Sequence, residues 1–326
     1  MIEVLSIPPL ATVQDLGRQG HWFQGLGQAG VMDDLSHRIA NLVLGNDETA
    51  ATLEIPLAPV RFRFHTETAF AISGAVCNAR LDSRALPAIC AGVAKADQVL
   101  QLKGISQGAR VYLALPGGID VPIVLGSRST QLRESFGGFD GRMLKAGDQL
   151  RSINDTWPDL PASGLSLGMP PLKRDGSNDI ELRVLPSAEY DYFASESLTA
   201  FWSSAYRVSP ASNRQGYRLE GQALSWMSTT ELRSHGIVPG IIQVPGSGQP
   251  IIQLADTATM GGYPAIGAVI EPDLWRIAQA RPGEFLRFVR VDLDEAANAA
   301  LEQQDILASL NTYLIETREL LSSWNS

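Results

Sequence analysis

The sequence predicts a mostly β protein of the barrel or sandwich class, with only a few helices. Short apolar or alternating segments are separated by glycines along most of the chain, which is typical of strands joined by tight turns. The predicted strands are 2–7, 60–64, 69–73, 98–102, 109–115, 181–185, 250–255 and 285–291. A turn that leads into a strand also recurs, as KAGDQL at 145–150 and RPGEFL at 281–286. Short strands separated by glycine-containing turns favour barrels and sandwiches over repeated β–α units.

Helical spacing is limited to a few segments. The predicted helices are 33–44, 188–204, 272–280 and 293–322. At the start of the first one, Asp33 or Asp34 is a suitable N-cap, and apolar residues then recur every three or four positions. The last one carries a leucine stripe that we expect to pack on its own domain, although it could also contact a partner helix.

The length and the distribution of proline and glycine predict two domains. A chain of 326 residues is long for one domain. Residues 152–180 are rich in proline, glycine and small polar side chains, which is typical of a linker. The predicted parts are an N-terminal domain at 1–155, a linker at 156–179, a C-terminal domain at 180–292 and a terminal helix at 293–326.

Charge and composition exclude several classes of function. The net charge is −9 and the isoelectric point is about 5.0, which argues against nucleic acid or an anionic membrane as a partner, since both need a cationic surface. No signal peptide and no membrane-spanning segment is expected, which predicts a cytoplasmic protein. The two cysteines, Cys77 and Cys90, lie in apolar segments and are expected to be buried, reduced thiols.

Four familiar motifs do not fit their contexts or are missing. GLGQAG at 25–30 matches a dinucleotide-binding pattern, but no buried strand precedes it. GLSLG at 164–168 matches a nucleophile elbow around Ser166, but two prolines follow instead of a helix. The four histidines and two cysteines lack metal-ligand spacing, so no metal site is expected. No phosphate-binding P-loop pattern occurs either.

The polar residues that could carry chemistry concentrate at 209–264, where strand-like segments end in glycine-rich loops. Arg214, Gln243 and Asp256 are the candidate catalytic residues. The candidate substrate-binding residues are Asn213, Thr259, Tyr263, Arg128 and His235. Arginines bind carboxylate or phosphate groups through two hydrogen bonds, and a carboxylate orients water or takes a proton. Four alternatives stay open: Arg214 could form a surface ion pair, and Asp256 could cap a turn. Gln243 could bond to backbone in the barrel, and Arg128 could bridge two loops.

In several sequence blocks, some of which contain these candidate residues, the chain resembles the biotin-dependent carboxyltransferase-like family. That family includes the C subunit of 5-oxoprolinase, to which the resemblance is strongest, the second subunit once named for allophanate hydrolase, and KipA. The similar blocks run in order through the chain and are TVQDLGRQG (12–20), GQAGVMDDLSHRIANLVLGN (27–46), ATLEI (51–55), GGIDVPIVLGSRST (117–130), SNRQGYRLEG (212–221), GIIQVPGSGQPI (240–251) and DTATMGGYP (256–264). The resemblance implies that the glycines of GLGQAG serve turns and close backbone packing. Three departures, Gln215, Ala258 and Met260, put unchanged substrate contacts in doubt.

The resemblance also implies a fold and an activity. Two β-barrel domains are expected, of which the C-terminal one is cyclophilin-like. The implied activity is ATP-dependent hydrolysis of 5-oxoproline to L-glutamate, together with a LamB/YcsF-like A subunit and a KipI-like B subunit, and this chain alone is expected to be inactive. ATP would be bound within the complex, not by this chain alone, and no metal or covalent cofactor is implied. Two alternatives are a carboxyltransferase that acts on urea or a related amide with a biotin-bearing partner, and a non-catalytic KipA-like regulator that binds a KipI-like protein.

Overall fold

A computed structural model describes residues 1–168, 179–227 and 232–325 of the protein. For residues 324 and 325 it describes the backbone alone. The described residues divide into two compact units. The first unit holds residues 1–18, 29–168 and 305–325, and the second holds residues 19–28, 179–227 and 232–304. Among the described residues, no helix is both long enough and apolar enough to cross a membrane.

The first unit is built on a ten-stranded sheet. Its strands are β1 (Ile2–Ser6), β2 (Thr12–Gln14), β3 (Thr52–Ile55), β4 (Val60–Phe64), β5 (Thr68–Leu81), β6 (Arg84–Ala85), β7 (Ile89–Ala94), β8 (Val99–Ala114), β9 (Gln149–Leu150) and β10 (Leu165–Leu167). The main order is β10-β7-β5-β8-β4-β1-β9; β3 joins it at β8, β2 pairs with β3, and β6 pairs with β5. The mostly β class is therefore confirmed. The first of the two expected barrels is an open sheet in the described residues, where the end strands β10 and β9 do not pair.

The second unit contains a closed seven-stranded barrel. Its strands are β11 (Ile180–Pro186), β12 (Tyr206–Val208), β13 (Gly216–Glu220), β15 (Ile241–Gln243), β16 (Ile251–Gln253), β18 (Ala265–Val269) and β19 (Phe285–Arg290), and β14 (His235–Gly236) pairs separately with β17 (Met260–Gly261). The barrel order is β11-β18-β15-β16-β13-β12-β19, and a parallel pair between β19 and β11 closes it. Alternate side chains such as Leu182, Ile252 and Phe288 are buried inside. The expected C-terminal barrel is confirmed.

Four helices complete the described structure. They are α1 (Asp34–Leu44), α2 (Ser195–Ser203), α3 (Leu274–Ala278) and α4 (Leu293–Asn325), and 3₁₀ turns lie at Trp22–Gln24, Tyr190–Tyr192 and Glu271–Asp273. Asp33 caps α1, because its carboxylate accepts a hydrogen bond from the Ser36 amide at 2.8 Å. The prediction of a single helix over 188–204 is wrong, since Phe193 is extended between the 3₁₀ turn and α2.

A buried polar cluster joins α1 to the sheet of the first unit. The Glu54 cluster, as we name it, comprises Asp33, His37, Thr52, Glu54 and Tyr112, all of them at most 1% exposed. The Tyr112 hydroxyl donates to the Glu54 carboxylate at 2.7 Å and accepts from the Asp33 amide at 2.9 Å. The His37 ring nitrogen Nδ1 lies 2.8 Å from the Thr52 hydroxyl. These contacts tie the first two turns of α1 to β3 and β8.

Two long strands differ from the sequence prediction. The segments 98–102 and 109–115 were expected as separate strands, but they form one strand, β8, and the strand expected at 69–73 extends as β5 to Leu81. Their antiparallel register shifts at several points between Gly74 and Asn78. Gly74 and Gly108 have positive φ angles, so these glycines form irregularities inside the strands instead of ending them.

Other local expectations concern glycine, cysteine and the linker. A Cβ atom on Gly30 would lie 2.9 Å from the Gly17 backbone nitrogen, so this glycine serves close backbone packing, as expected. Cys77 and Cys90 are free and buried, which confirms their prediction, and burial raises the pKa of the two thiols to about 11 and about 12. Within the predicted linker, β10 pairs with β7, and Ser166 lies inside that strand instead of at a nucleophile elbow. Residues 169–178 of the linker lie outside the described residues.

Candidate functional site

Arg214 and Asp256 form an ion pair at the edge of the barrel. The Arg214 Nε and Nη2 atoms each lie 2.9 Å from a different oxygen of the Asp256 carboxylate, and both side chains are about one-tenth exposed. Arg214 precedes β13 and Asp256 follows β16, and these strands are antiparallel neighbours with Gly216 opposite Gln253. The sequence therefore brings the two loops together through strand pairing. Arg214 thus donates its two parallel hydrogen bonds to the carboxylate of Asp256 in this structure.

Gln243 belongs to the same hydrogen-bonded region. The Gln253 side-chain amide donates to the Gln243 carbonyl oxygen at 3.0 Å and accepts from the Thr257 hydroxyl at 2.8 Å. The Gln243 amide in turn donates to the backbone carbonyl of Tyr263 at 3.3 Å. We call Arg214, Asp256, Thr257, Gln253 and Gln243 the Arg214 network. Gln243 and Gln253 lie on the outer face of the barrel, because the neighbouring Ile242 and Ile252 are buried inside it. Thr257 directly follows Asp256 in the chain, so the ion pair adjoins the hydrogen bonds of Gln243 and Gln253.

The small β14–β17 sheet covers one side of this network. His235 pairs with Gly261, and a Cβ atom added to Gly261 would lie 2.6 Å from the Gln243 amide nitrogen. The His235 ring nitrogen Nδ1 lies 3.3 Å from the Arg233 carbonyl oxygen. The carbonyl of Thr259 accepts a hydrogen bond from the Ile237 amide at 3.2 Å. His235 thus lies on the strand pair that packs against Gln243, and Thr259 directly precedes its second strand, β17.

Two other candidates have local structural contacts. The Asn213 side chain accepts from the Gln215 amide at 2.8 Å, which forms an Asx-type turn just before β13. Arg128 belongs to the first unit, whereas the other seven candidates belong to the second. Its backbone amide donates to the Asp15 carboxylate at 2.5 Å, and its guanidinium donates to the Val121 carbonyl oxygen. Arg128 thus ties together two loops of its own unit.

Tyr263 connects the network to a cavity of about 330 Å³. Its side chain is half-exposed and lies on the wall of the cavity, while its backbone carbonyl is held by Gln243. We call this space the Arg218 cavity, and its lining residues are Ser209, Arg218, Leu219, Glu220, Pro245, Ser247, Gln249, Pro250, Ile251 and Tyr263. Of the eight candidates from the sequence, only Tyr263 is among them.

Sequence reasoning missed the charged residues of this cavity. Arg218 and Glu220 alternate with the buried Tyr217 and Leu219 on β13, a pattern typical of any strand with one face in solvent. The one feature of the sequence that could have marked Arg218 and Glu220 as site residues is that β13 lies in a segment otherwise rich in glycine and proline. The structure adds that residues of the loop at 245–250 line the same cavity as Arg218 and Glu220.

Comparison with known proteins decides the family. Residues 24–290 match the family model described as carboxyltransferase domain, subdomain A and B. The chain belongs to this family. Two relatives are named as the C subunit of 5-oxoprolinase: the protein of Escherichia coli is 42% identical over 93% of this chain and 96% of its own length, and that of Haemophilus influenzae is 39% identical over 91% and 93%. The resemblance inferred from the sequence blocks is thus confirmed.

More distant similarity extends to larger proteins. A urea amidolyase of Lachancea kluyveri is 33% identical over 92% of this chain, which covers 18% of that protein. The solved structures of Kluyveromyces lactis urea amidolyase and urea carboxylase each superpose on 95% of the chain with a TM-score of 0.86 and 30% identity. The chain covers 20% and 29% of those two structures. The fold described above is therefore also found as one part of longer proteins.

Proposed function

We propose that this chain is the C subunit of an ATP-dependent 5-oxoprolinase, which opens the lactam of 5-oxoproline to L-glutamate. The observation that carries the proposal is the match with two proteins named as 5-oxoprolinase C subunits along more than nine-tenths of both chains. The urea amidolyase match covers less than one-fifth of that protein. Because these relatives are named as subunits, we propose that this chain acts in a multi-subunit complex. The proposed partners are a LamB/YcsF-like A subunit and a KipI-like B subunit.

The chemistry requires help from ATP, because a lactam carbonyl is a poor electrophile. Phosphorylation of the lactam oxygen by ATP would release ADP and make the ring carbon electrophilic. The C–N bond would break once water adds to that carbon and the nitrogen takes a proton, and hydrolysis of the resulting acyl phosphate would give the carboxylate of glutamate and inorganic phosphate. ATP is a co-substrate in this proposal, held within the complex. In this chain, the Asp256 carboxylate would orient that water or take its proton. Arg214 would fix the carboxylate in place through the two 2.9 Å hydrogen bonds, and Gln243 would position Tyr263.

Reconstitution tests the proposal directly. The chain is mixed with the purified A and B subunits, ATP and L-5-oxoproline, and L-glutamate and ADP are measured. The complete mixture is expected to form both products, while mixtures that omit any one protein, or this chain alone, are expected to form no glutamate. An Asp256→Asn variant of this chain is expected to assemble with the partners but to lose most of the turnover. Absence of glutamate from the complete wild-type mixture would contradict the proposal.

A second candidate function is carboxyl transfer from a biotin-bearing partner to urea or a related amide. The observation that favours it is the TM-score of 0.86 against urea carboxylase over 95% of the chain. The sequence holds no biotin-accepting A-M-K-M segment, so the biotin would come from another protein. Labelled bicarbonate added with a biotin-carboxylase partner and urea distinguishes the two functions, since only carboxyl transfer moves the label into the amide.

A further inference from the structure

We propose that the Arg218 cavity is the binding site for a small carboxylic acid that carries an amide N–H beside its carboxylate, such as a lactam acid. All of its lining residues lie in the second unit. Its volume of about 330 Å³ falls at the small end of the range of ligand sites, which suits a single small ring. The choice of a lactam acid rests on the proposed function, whereas the cavity's own charges define the wider class.

Arg218 supplies the positive charge of the cavity. Its neighbours Tyr217 and Leu219 point into the barrel, so the guanidinium points outward into the cavity. Two other exposed arginines of the barrel have carboxylate partners, Arg207 with Glu220 at 2.6 Å and Arg287 with Asp179 at 2.5 Å. Among the residues that the structure describes, no carboxylate lies within ion-pair distance of the Arg218 guanidinium. A carboxylate ligand would give it the two parallel hydrogen bonds that its planar geometry favours.

Glu220 supplies a negative charge on the same face of the cavity. It lies two residues after Arg218 on β13, which separates the two side chains by about 6.6 Å along the strand. Hydrogen bonds from the side chains of Ser209 and Arg207 lower the pKa of Glu220, so its carboxylate stays ionised. A carboxylate has about four acceptor positions, of which these contacts use two. The remaining ones suit a ligand N–H group.

The neutral groups complete this arrangement. Ser247 and Tyr263 are among the lining residues, and their hydroxyls can donate to a carbonyl oxygen. Ser247 lies in a tight turn in which the Gly248 amide donates to the Pro245 carbonyl at 2.8 Å. The Gln249 side chain is instead engaged with the backbone of Gly221 at 2.9 and 3.1 Å, so it forms part of the wall.

Together these groups define the ligand by its chemistry. A carboxylate faces Arg218, an N–H faces Glu220, and a carbonyl oxygen faces the two hydroxyls. A lactam acid such as 5-oxoproline has these three groups around one five-membered ring. Urea has N–H groups and a carbonyl but no carboxylate, so it leaves Arg218 without a partner group. The cavity therefore favours a lactam acid over urea.

Binding to the isolated full-length chain tests the proposal. L-5-oxoproline and 2-pyrrolidinone, the same lactam ring without the carboxylate, are titrated into the wild type, Arg218→Gln and Arg61→Gln, with binding followed by ligand-observed NMR. Arg61 is the matched control, because it is also an outward-facing strand arginine but lies on β4 of the first unit. Loss of a charged hydrogen-bonding partner is expected to weaken L-5-oxoproline binding to Arg218→Gln by about 10- to 100-fold. Arg61→Gln is expected to bind it as the wild type does.

The second ligand shows whether the variant site is intact. The affinity for 2-pyrrolidinone is expected to be the same in all three proteins, since it has no group for Arg218. Equal L-5-oxoproline affinity in the wild type and Arg218→Gln, or no binding to the wild type, would overturn the proposal. An equal loss of affinity for both ligands in Arg218→Gln would also overturn it, because the carboxylate would then not be the group that Arg218 recognises.

Turnover in the reconstituted mixture separates this proposal from the proposed function. If the mixture forms glutamate but Arg218→Gln has a wild-type KM for 5-oxoproline, the site assignment is wrong and the function stands. If the mixture forms no glutamate but binding depends on Arg218, the function is wrong and the site assignment stands.

Discussion

The Glu54 cluster of the first unit and the Arg214 network of the second are both rich in polar side chains, but they differ in burial and surroundings. Members of the Glu54 cluster are at most 1% exposed, and their hydrogen bonds run between α1 and the sheet beneath it. In the Arg214 network, the ion pair is about one-tenth exposed, and the last hydrogen bond ends at a cavity-lining residue, Tyr263. Of these two regions, the second is the one that is partly exposed and adjoins the Arg218 cavity.

This difference assigns separate roles to chemically similar groups. A carboxylate buried among fixed donors, as Glu54 is, stabilises the fold because its loss leaves polar groups without partners. A carboxylate held by an arginine at a partly open edge, as Asp256 is, is positioned and still accessible. Changes in the first region should therefore alter stability, and changes in the second should alter activity as well.

The largest effect is expected from Glu54→Ala. This change removes the acceptor of the buried Tyr112 hydroxyl and of the Met32 amide, which donate at 2.7 and 2.8 Å. We expect the free energy of unfolding to fall by about 4 kcal/mol in urea titrations. Glu48→Ala is the control, because Glu48 pairs with Arg38 at the surface, and it should lower the free energy by less than about 1 kcal/mol. Equal losses would mean that burial does not set the role of the Glu54 cluster.

The next effect is a pH dependence of stability caused by His37. Burial lowers the pKa of His37 from 6.5 to about 4, with smaller influences from Asp15, Arg38 and Glu54. Between these pH values the unfolded chain binds a proton that the folded chain does not, so stability falls as the pH falls from 6.5 to about 4. Above that window His37 has no effect on the pH dependence. The loss attributable to His37 should reach about 3 kcal/mol at the acid end.

Urea titrations over this pH range in the wild type and His37→Gln measure this contribution. The variant should be less stable at neutral pH, because it lacks the contact with Thr52, but its stability should decline less steeply with acid. Parallel curves for the two proteins would show that His37 is protonated as readily in the folded chain as in the unfolded one.

A smaller effect is expected for the coupling between Arg214 and Asp256. Because the pair is mostly buried and has two hydrogen bonds, a double-mutant cycle with Arg214→Ala and Asp256→Ala should give a coupling energy of about 2 kcal/mol. The Arg287–Asp179 pair of the same barrel is the control, with an arginine that is nearly half-exposed, and should give about 0.5 kcal/mol. Similar coupling in the two cycles would place the Arg214 pair among ordinary surface ion pairs.

The smallest expected change in stability comes from Gly261→Ala. The added methyl group would lie 2.6 Å from the Gln243 amide nitrogen and would displace that side chain, at a cost of about 1 kcal/mol. Gly236, on the paired strand, is the matched control, because a Cβ atom there has no neighbour within 4 Å. In the reconstituted mixture, Gly261→Ala should raise the KM for 5-oxoproline through the shifted Tyr263, and Gly236→Ala should not. Identical kinetics in the two variants would remove Gln243 from a positioning role.

Sequence patterns predicted those features of the fold that depend on local chemistry. The capped helix α1, the terminal helix α4 and the barrel strands β11, β16 and β19 follow from caps, spacing and turns. The short barrel strands β12, β13, β15 and β18 were not among the predicted strands. The continuous strand β8 could not be predicted in this way, because a glycine such as Gly108 ends a strand in most contexts. Here β8 continues past Gly108 because it pairs with β5 on both sides of this glycine. The extended Phe193 similarly depends on its bridge to Trp226, a contact distant in sequence.

The candidate site was predictable to a similar degree. The concentration of polar residues in glycine-rich loops pointed to Arg214, Gln243 and Asp256, and strand pairing does bring them together. Their mutual hydrogen bonds could not be predicted, because an arginine and an aspartate 42 residues apart meet only through the register of β13 and β16. Arg218 and Glu220 were missed because solvent-facing strand positions have the same sequence pattern whether or not they line a cavity.

The turnover of 5-oxoproline per folded molecule, measured in the reconstituted mixture for Asp256→Asn and Glu54→Gln, tests most directly whether the two regions have separate roles. We predict that Asp256→Asn lowers kcat by about 100-fold, because it removes the group that orients water or takes a proton. Glu54→Gln should lower the unfolding temperature while each folded molecule keeps wild-type turnover. Wild-type turnover in Asp256→Asn, or an equal loss of turnover in the two variants, would contradict the account.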